Sequence, residues 1–182
     1  MPLNNLSTFR SIIPLLSASN RYGETTLTVS YDQSLFSLTC LKFHINYQYK
    51  LLSCISGIDL INSKYRFAVV YDLLSISINS RMRLKIFVNE ITSVMSIIEI
   101  FQNANWWERE IWYLYGIYFY NHPDLRRILT YYGFEGYPIR KDFPLSGFVE
   151  VRYDQTKKRV VLEPLQSQEF RLFTFETPRL TS

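Results

Sequence analysis

Residues 65–74 read Tyr-Arg-Phe-Ala-Val-Val-Tyr-Asp-Leu-Leu, and residues 81–88 read Arg-Met-Arg-Leu-Lys-Ile-Phe-Val. In the first stretch Tyr65, Phe67, Val69 and Tyr71 alternate with Arg66, Ala68, Val70 and Asp72. In the second, Met82, Leu84, Ile86 and Val88 alternate with Arg81, Arg83, Lys85 and Phe87. Successive side chains of a strand point to opposite faces, so this period marks strands. The second stretch has one face for a core and one wet, basic face. Asn79-Ser80 falls between them and predicts a turn, hence an antiparallel hairpin.

Working outward toward the N-terminus, residues 25–30 (TTLTVS) read as a short strand. Asp32 is placed to cap a helix running to about Phe43, with Leu35, Leu38 and Leu41 at helical spacing. A mixed apolar strand over about 49–55 follows, ended by Gly57 and Asp59. Toward the C-terminus, a helical stretch is expected around 92–100. A second helix then opens with Asn105 as its N-cap and Glu108 three residues on, as in a capping box. Glu108 and Glu110 suit the positive end of the helix dipole. Trp107, Ile111, Leu114 and Tyr115 form its apolar stripe, and Gly116 is its stop.

Beyond Gly116 the pattern breaks. Residues 117–147 hold three prolines (Pro123, Pro138, Pro144), three glycines (Gly133, Gly136, Gly147) and the cations Arg126, Arg127, Arg140 and Lys141. A long irregular segment in a compact domain usually has a function. Two short strands are expected at 148–153 and 159–162, then a tail with Pro164 and Pro178. The division expected is an N-terminal segment at 1–20, a core at 21–120, a docking segment with short strands at 121–162, and an extended tail at 163–182.

The chain has 182 residues, of which 47% are hydrophobic and 20% charged, so it can bury a core and is not of the disordered class. Ala18, Ala68 and Ala104 are the only alanines, against 14 Tyr and 13 Phe, a bias that suggests an AT-rich genome such as an organelle's. The net charge of +4 permits an acidic partner, nucleic acid or anionic lipid and selects none. The longest apolar run, 111–120, is too short for a spanning helix, which needs about 20 residues. Residues 1–20 have one Arg and no small-residue cleavage site, so no signal peptide is expected. For a mitochondrial protein, the missing Arg-rich leader suggests synthesis inside the organelle.

Candidate chemistry is sparse. Glu108 and Glu110 stand two apart, so on a helix their side chains diverge by about 160° and do not share a substrate. Cys40 and His44 could meet on one helix face, but zinc needs three or four ligands and only Cys54 and His122 remain. A tetranuclear iron–sulfur cluster usually takes four thiolates, and the chain has two cysteines. Gly133-Phe134-Glu135-Gly136 matches a GxxG phosphate clamp, yet Glu135 would repel a phosphate, so turn glycines are the better reading. The cations at 126, 127, 140 and 141 interleave with Tyr131, Tyr132, Phe134, Tyr137 and Phe143. Tyr and Arg are enriched at protein interfaces, and rigid turns lower the entropic cost of docking.

The run Glu108-Arg109-Glu110, Trp112, Gly116-Ile117 and His122-Pro123-Asp124-Leu125-Arg126-Arg127-Ile128-Leu129 resembles the signature of the thirty-kilodalton subunit of NADH:ubiquinone oxidoreductase, respiratory complex I. The resemblance continues through Tyr132-Gly133-Phe134-Glu135-Gly136, Arg140-Lys141-Asp142-Phe143-Pro144-Leu145-Ser146-Gly147 and Val149–Asp154, with a weaker match back to Gly57 and another at 168–171. Three positions depart from it: Tyr113 and Tyr131 replace usual acids, and Tyr137 a usual His. The first of these takes from Arg109 its partner at i+4.

The resemblance implies an α/β (α+β) two-layer domain with a mixed sheet and flanking helices, then an irregular docking segment and an extended tail. It implies a non-redox structural subunit of the peripheral arm, on the matrix side of the mitochondrial inner membrane. The partners expected are the forty-nine-kilodalton subunit and the subunit bearing the terminal iron–sulfur cluster. FMN, the clusters and ubiquinone would lie on neighbouring subunits, with no nucleic acid bound and no transmembrane segment. Arg109, His122, Asp124, Arg126, Arg127, Tyr132, Phe134, Glu135, Arg140, Lys141, Asp142 and Phe143 are the expected interface residues. Two other readings stand beside it: an organellar RNA-binding module using the Arg81, Arg83, Lys85 face, and the homologous docking subunit of a related membrane-bound oxidoreductase.

Overall fold

The computed structural model describes residues 12–166. The elements are β1 (Leu15–Arg21), β2 (Glu24–Val29), a 3-10 turn (Tyr31–Gln33), α1 (Ser34–Phe43), β3 (Leu51–Asp59), β4 (Phe67–Ser75), β5 (Ser80–Val88), β6 (Val94–Met95), α2 (Ala104–Tyr115), β7 (Phe119–Tyr120), β8 (Val149–Asp154) and β9 (Arg159–Pro164). The alternating stretches form the expected hairpin, paired from Phe67↔Val88 to Ser75↔Ser80. Asn79 closes the turn in the left-handed region, at φ 51°.

The five strands run β1-β2-β5-β4-β3, with β2 parallel to β5 and the other pairs antiparallel. The sheet is therefore mixed, as expected. Its inner face carries Leu27, Val29, Phe67, Val69, Tyr71, Leu84 and Ile86, which share one core with Leu38 and Leu41 of α1 and Ala104 and Ile111 of α2. Burial of large apolar side chains, each favourable by about 1.5–3 kcal/mol, holds the two layers together. Thr26, Thr28, Arg83 and Lys85 lie on the other face.

Several local expectations are corrected. Residues 15–20, expected to precede the core, belong to the edge strand β1. Asp32 does not cap α1: it lies inside the 3-10 turn, and Gln33 occupies the N-cap position without a side-chain bond. β3 does not stop at Gly57. It runs on to Asp59, because Gly57, Ile58 and Asp59 stay paired with Val69, Ala68 and Phe67 of β4; the Tyr115 ring packs where Gly57 has no side chain, and a Cβ there would lie 2.8 Å from it. No helix forms at 92–100. Val94 N–H and Ser96 N–H instead donate to Tyr118 O and Tyr120 O, joining β6 to β7 in parallel. A short apolar run fits either period, and these outside carbonyls decide it.

The chain divides between Arg140 and Lys141 into two compact units. Residues 121–140 thus go with the first unit, whereas the sequence placed the division after residue 120. In the second unit β8 and β9 form an antiparallel hairpin. The Asp154 carboxylate accepts from the Thr156 N–H and hydroxyl, which holds it below the ordinary carboxylate range. Arg152 and Glu163 pair across the strands at 2.7 and 2.8 Å. Of the expected tail, residues beyond 166 lie outside the described residues, as do 168–171 and residues 1–11.

Candidate docking surface

Helix α2 organises the surface. Its start is not a capping box. Asn103 holds the N-cap position without a side-chain cap bond, and its amide donates to Leu52 O on β3 at 2.8 Å. Asn105 lies inside the helix, and its buried Oδ1 has no hydrogen-bond partner. No acid sits in the first turn. Glu108 points inward on the Ala104–Ile111 face, where its carboxylate accepts from Ser96 Oγ at 2.6 Å and Ile97 N at 2.8 Å. Desolvation pushes Glu108 up to about 7, against the downward pull of those two donors. Gly116 ends the helix at φ 81°, as expected.

The segment after β7 folds back onto α2. The His122 side chain is fully buried, with Nε2 3.3 Å from Asn105 O, and Asp124 N–H donates to its Nδ1 at 3.0 Å. Burial lowers the His122 pKa. Arg109 does find partners despite the Tyr113 departure: its Nε donates to Arg126 O at 3.0 Å, and its guanidinium lies 4.8 Å over the Trp106 ring. Tyr113 itself is buried. At the far end, Arg140 Nε donates to Tyr115 O at 2.7 Å, a carbonyl of the last turn where the helix dipole favours cations. The Arg140 guanidinium also lies over Phe67 and Tyr137, at 5.1 and 4.3 Å, and Nη1 is 3.7 Å from Glu90. Glu90 pairs with Arg66, which also holds Asp59 at 3.1 Å. A Cβ at Gly116 would lie 2.6 Å from Arg140 Nη2 and 2.7 Å from the Tyr137 ring, so the close packing needs glycine.

Between these anchors the side chains face outward. Leu129 and Tyr132 are 77% and 84% exposed, and Trp106 on α2 is 60% exposed. A shallow cleft of about 250 Å³ is lined by Trp106, Trp107, Glu110, Tyr113, Ile128 and Leu129. Arg126 pairs with Asp124 at 2.5 Å, and Arg127 Nη1 lies 3.4 Å from Thr130 Oγ1. Phe134 packs edge-on against Tyr131, and Glu135 is exposed. Lys141 and Asp142 are exposed residues of the second unit, where Phe143 packs edge-on against Phe148.

The structure thus gathers Arg109, His122, Asp124, Arg126, Arg127 and Arg140 around α2 and its following loop. Sequence reading missed the inward role of Glu108 and the Arg140–Glu90–Arg66–Asp59 chain of charges. The first had a signal: Glu108 lies four after Ala104 and three before Ile111, on the face they bury. The second had none, because its members are far apart in sequence.

Among the described residues no group of three or more His, Cys, Asp or Glu is placed to hold a metal, and no helix is long and apolar enough to cross a membrane. Residues 27–149 match the family described as the respiratory-chain NADH dehydrogenase 30 Kd subunit. NADH-ubiquinone oxidoreductase subunit 9 of Reclinomonas americana is 55% identical over 157 residues, 86% of this chain and 77% of that one. NADH dehydrogenase [ubiquinone] iron-sulfur protein 3 of Beta trigyna is 56% identical over 146 residues, 79% of this chain and 76% of that one. A chain in the structure of the membrane-bound sulfane sulfur reductase, an archaeal respiratory membrane complex, superposes with a TM-score of 0.67 at 19% identity, over 87% of this chain and 98% of that chain. That likeness shows the fold alone. With the family matched over most of its length and relatives more than half identical, this chain belongs to the 30 kDa subunit family of respiratory-chain NADH dehydrogenase, complex I.

Proposed function

We propose that the chain serves complex I as a non-redox structural subunit of the peripheral arm, on the matrix side of the mitochondrial inner membrane. It docks on the forty-nine-kilodalton subunit and the terminal-cluster subunit, and so supports electron transfer from NADH to ubiquinone. The observation that carries this reading is the 121–140 segment: the His122 ring and the Arg140 guanidinium tie its two ends to backbone carbonyls of α2, while Leu129 and Tyr132 face outward. Such a segment is ordered before it binds, so docking costs less entropy. Exposed aromatic and Arg side chains then supply contact area and bidentate bonds.

One relative's name includes "iron-sulfur protein", but the donors here do not fit a cluster of four thiolates. The chain has two cysteines, and burial raises both thiols rather than favouring thiolate. FMN, clusters and ubiquinone therefore belong to neighbouring subunits in this reading.

Native electrophoresis of gently solubilised mitochondria, with mass spectrometry of the band, tests it. The wild-type chain should co-migrate with flavin and iron–sulfur subunits and with NADH dehydrogenase activity. Arg127→Glu should leave the isolated chain folded and remove it from that band. Normal assembly of the variant would count against docking through this segment. Migration with ribosomes and RNA would favour the RNA-binding reading.

A further inference from the structure

Glu108 sits where three parts of the first unit meet: α2, the crossing at 94–98 and the turn after β7. Its side chain is shielded from solvent, and its two hydrogen bonds come from the crossing, through Ser96 Oγ and Ile97 N. His122 Nε2 approaches Glu108 Oε2 to 3.9 Å from the turn. The tautomer of that imidazole follows from its neighbours. Asp124 N–H donates to Nδ1, so Nδ1 carries a lone pair and the proton is on Nε2, facing Asn105 O. His122 is neutral in this arrangement and does not balance a charge on Glu108.

From β4, the Tyr71 hydroxyl is fully buried without a hydrogen-bond partner, and burial with the Glu108 charge pushes it well above its ordinary range. It too stays neutral. On α2 itself, Arg109 is engaged with Arg126 O, and Arg109 and Asp124 act on His122 in opposite senses. Glu110 is half-buried on the same helix; burial raises Tyr113 and Tyr115, and the Glu110 charge adds to it, after that of Asp59 for Tyr115.

We propose that Glu108 is a proton-responsive latch, whose charge sets how firmly the 94–98 crossing and the His122 turn are held to α2. This goes beyond assembly and depends on the fold of the first unit alone. As a carboxylate, Glu108 accepts from both Ser96 and Ile97 through charge-assisted bonds, but its burial costs more than those bonds return, so ionisation loosens the latch. As a carboxylic acid it carries an O–H of its own, so one oxygen stops being a pure acceptor and the Ser96 hydroxyl must turn. His122 can take a proton to offset the carboxylate only by releasing the Asp124 N–H from Nδ1. The start of the exposed segment is thereby coupled to the charge on a buried carboxyl. Burial places the exchange between these states at about pH 7.

The test is an NMR titration of the full-length chain between about pH 5.5 and about pH 8.5, a window around the ordinary imidazole range. The Glu108 carboxyl carbon and the Ile97 amide proton should move together with a midpoint of about 7. The Ile97 step should vanish in Glu108→Gln, and the His122 ring should keep its Nε2–H tautomer throughout. A carboxyl carbon already fully ionised at the acid end of the range would overturn the proposal. So would an Ile97 amide that stays still while the carboxyl titrates. The wild-type titration is decisive by itself, whether or not the Gln variant folds.

Discussion

The 121–140 segment is held at its two ends by opposite chemistry. At the first end a buried neutral imidazole and a buried carboxyl meet out of reach of solvent, with no cation between them. At the second, a guanidinium caps the last turn of α2, lies over two aromatic rings and reaches a half-exposed Glu90. A guanidinium keeps its charge at every working pH. The first anchor therefore answers to protons and the second does not. One loop can be both permanently placed and adjustable at its root.

The largest expected effect comes from breaking the first anchor. Glu108→Ala leaves Ser96 Oγ–H and Ile97 N–H buried without an acceptor, at about 1–3 kcal/mol each, and opens a cavity, for a loss of about 3–5 kcal/mol in urea unfolding at neutral pH. Glu108→Gln keeps an acceptor for Ile97 and sharpens the comparison through pH. The folded-state pKa of Glu108, about 7, lies above its ordinary 4.5, so the folded chain binds this proton more tightly than the unfolded one. The contribution is most favourable below about pH 4.5, is lost as pH rises toward 7, and is constant above that. A separation of that size corresponds to about 3 kcal/mol. The stability of wild type relative to Glu108→Gln should therefore fall between about pH 5 and about pH 8. Parallel pH profiles for the two proteins would show that Glu108 titrates normally.

Breaking the second anchor should cost less and show no such slope. Arg140→Met keeps the aliphatic stem over Phe67 but loses the bond to Tyr115 O, both cation–π contacts and the Glu90 approach. About 2–3 kcal/mol is expected. The loss should be the same at about pH 6 and about pH 8, read from paired urea curves, because no group removed changes charge there. A pH-dependent loss would mean that the two anchors are coupled through the loop.

The same contrast explains what could be read from sequence. The β4–β5 hairpin was legible because two alternating runs flank a turn, and each residue's face follows from its own position. The irregular character of 117–147 was legible from its prolines and glycines, and the Gly116 stop from its place after the apolar stripe. The 94–98 crossing was not, because its fate depends on Tyr118 O, Tyr120 O and Glu108, which lie outside any local window. Asn105 and Glu108 look like a capping box in sequence. The helix actually begins at Ala104, which moves Glu108 out of the first turn and onto the buried face. Arg140 read as one of several interface cations until the fold placed Tyr115, Phe67 and Tyr137 around it.

The smallest expected effect on the fold separates anchoring from docking. Arg126 pairs with Asp124 in solvent, and the two side chains are 67% and 46% exposed. Exposed pairs of this kind contribute under about 1 kcal/mol, and its loss in Arg126→Ala should change stability by no more than about 0.5 kcal/mol. The contact Arg126 does make to the body of the unit is through its carbonyl, which accepts from Arg109 Nε and survives the substitution. If the side chain is there for a partner, Arg126→Ala should unfold like wild type yet give a weaker complex I band on native electrophoresis. An equally strong band would place the docking energy on the apolar side chains of Leu129 and Tyr132 instead. A clear drop in stability would mean that the loop between the anchors also helps to hold the fold.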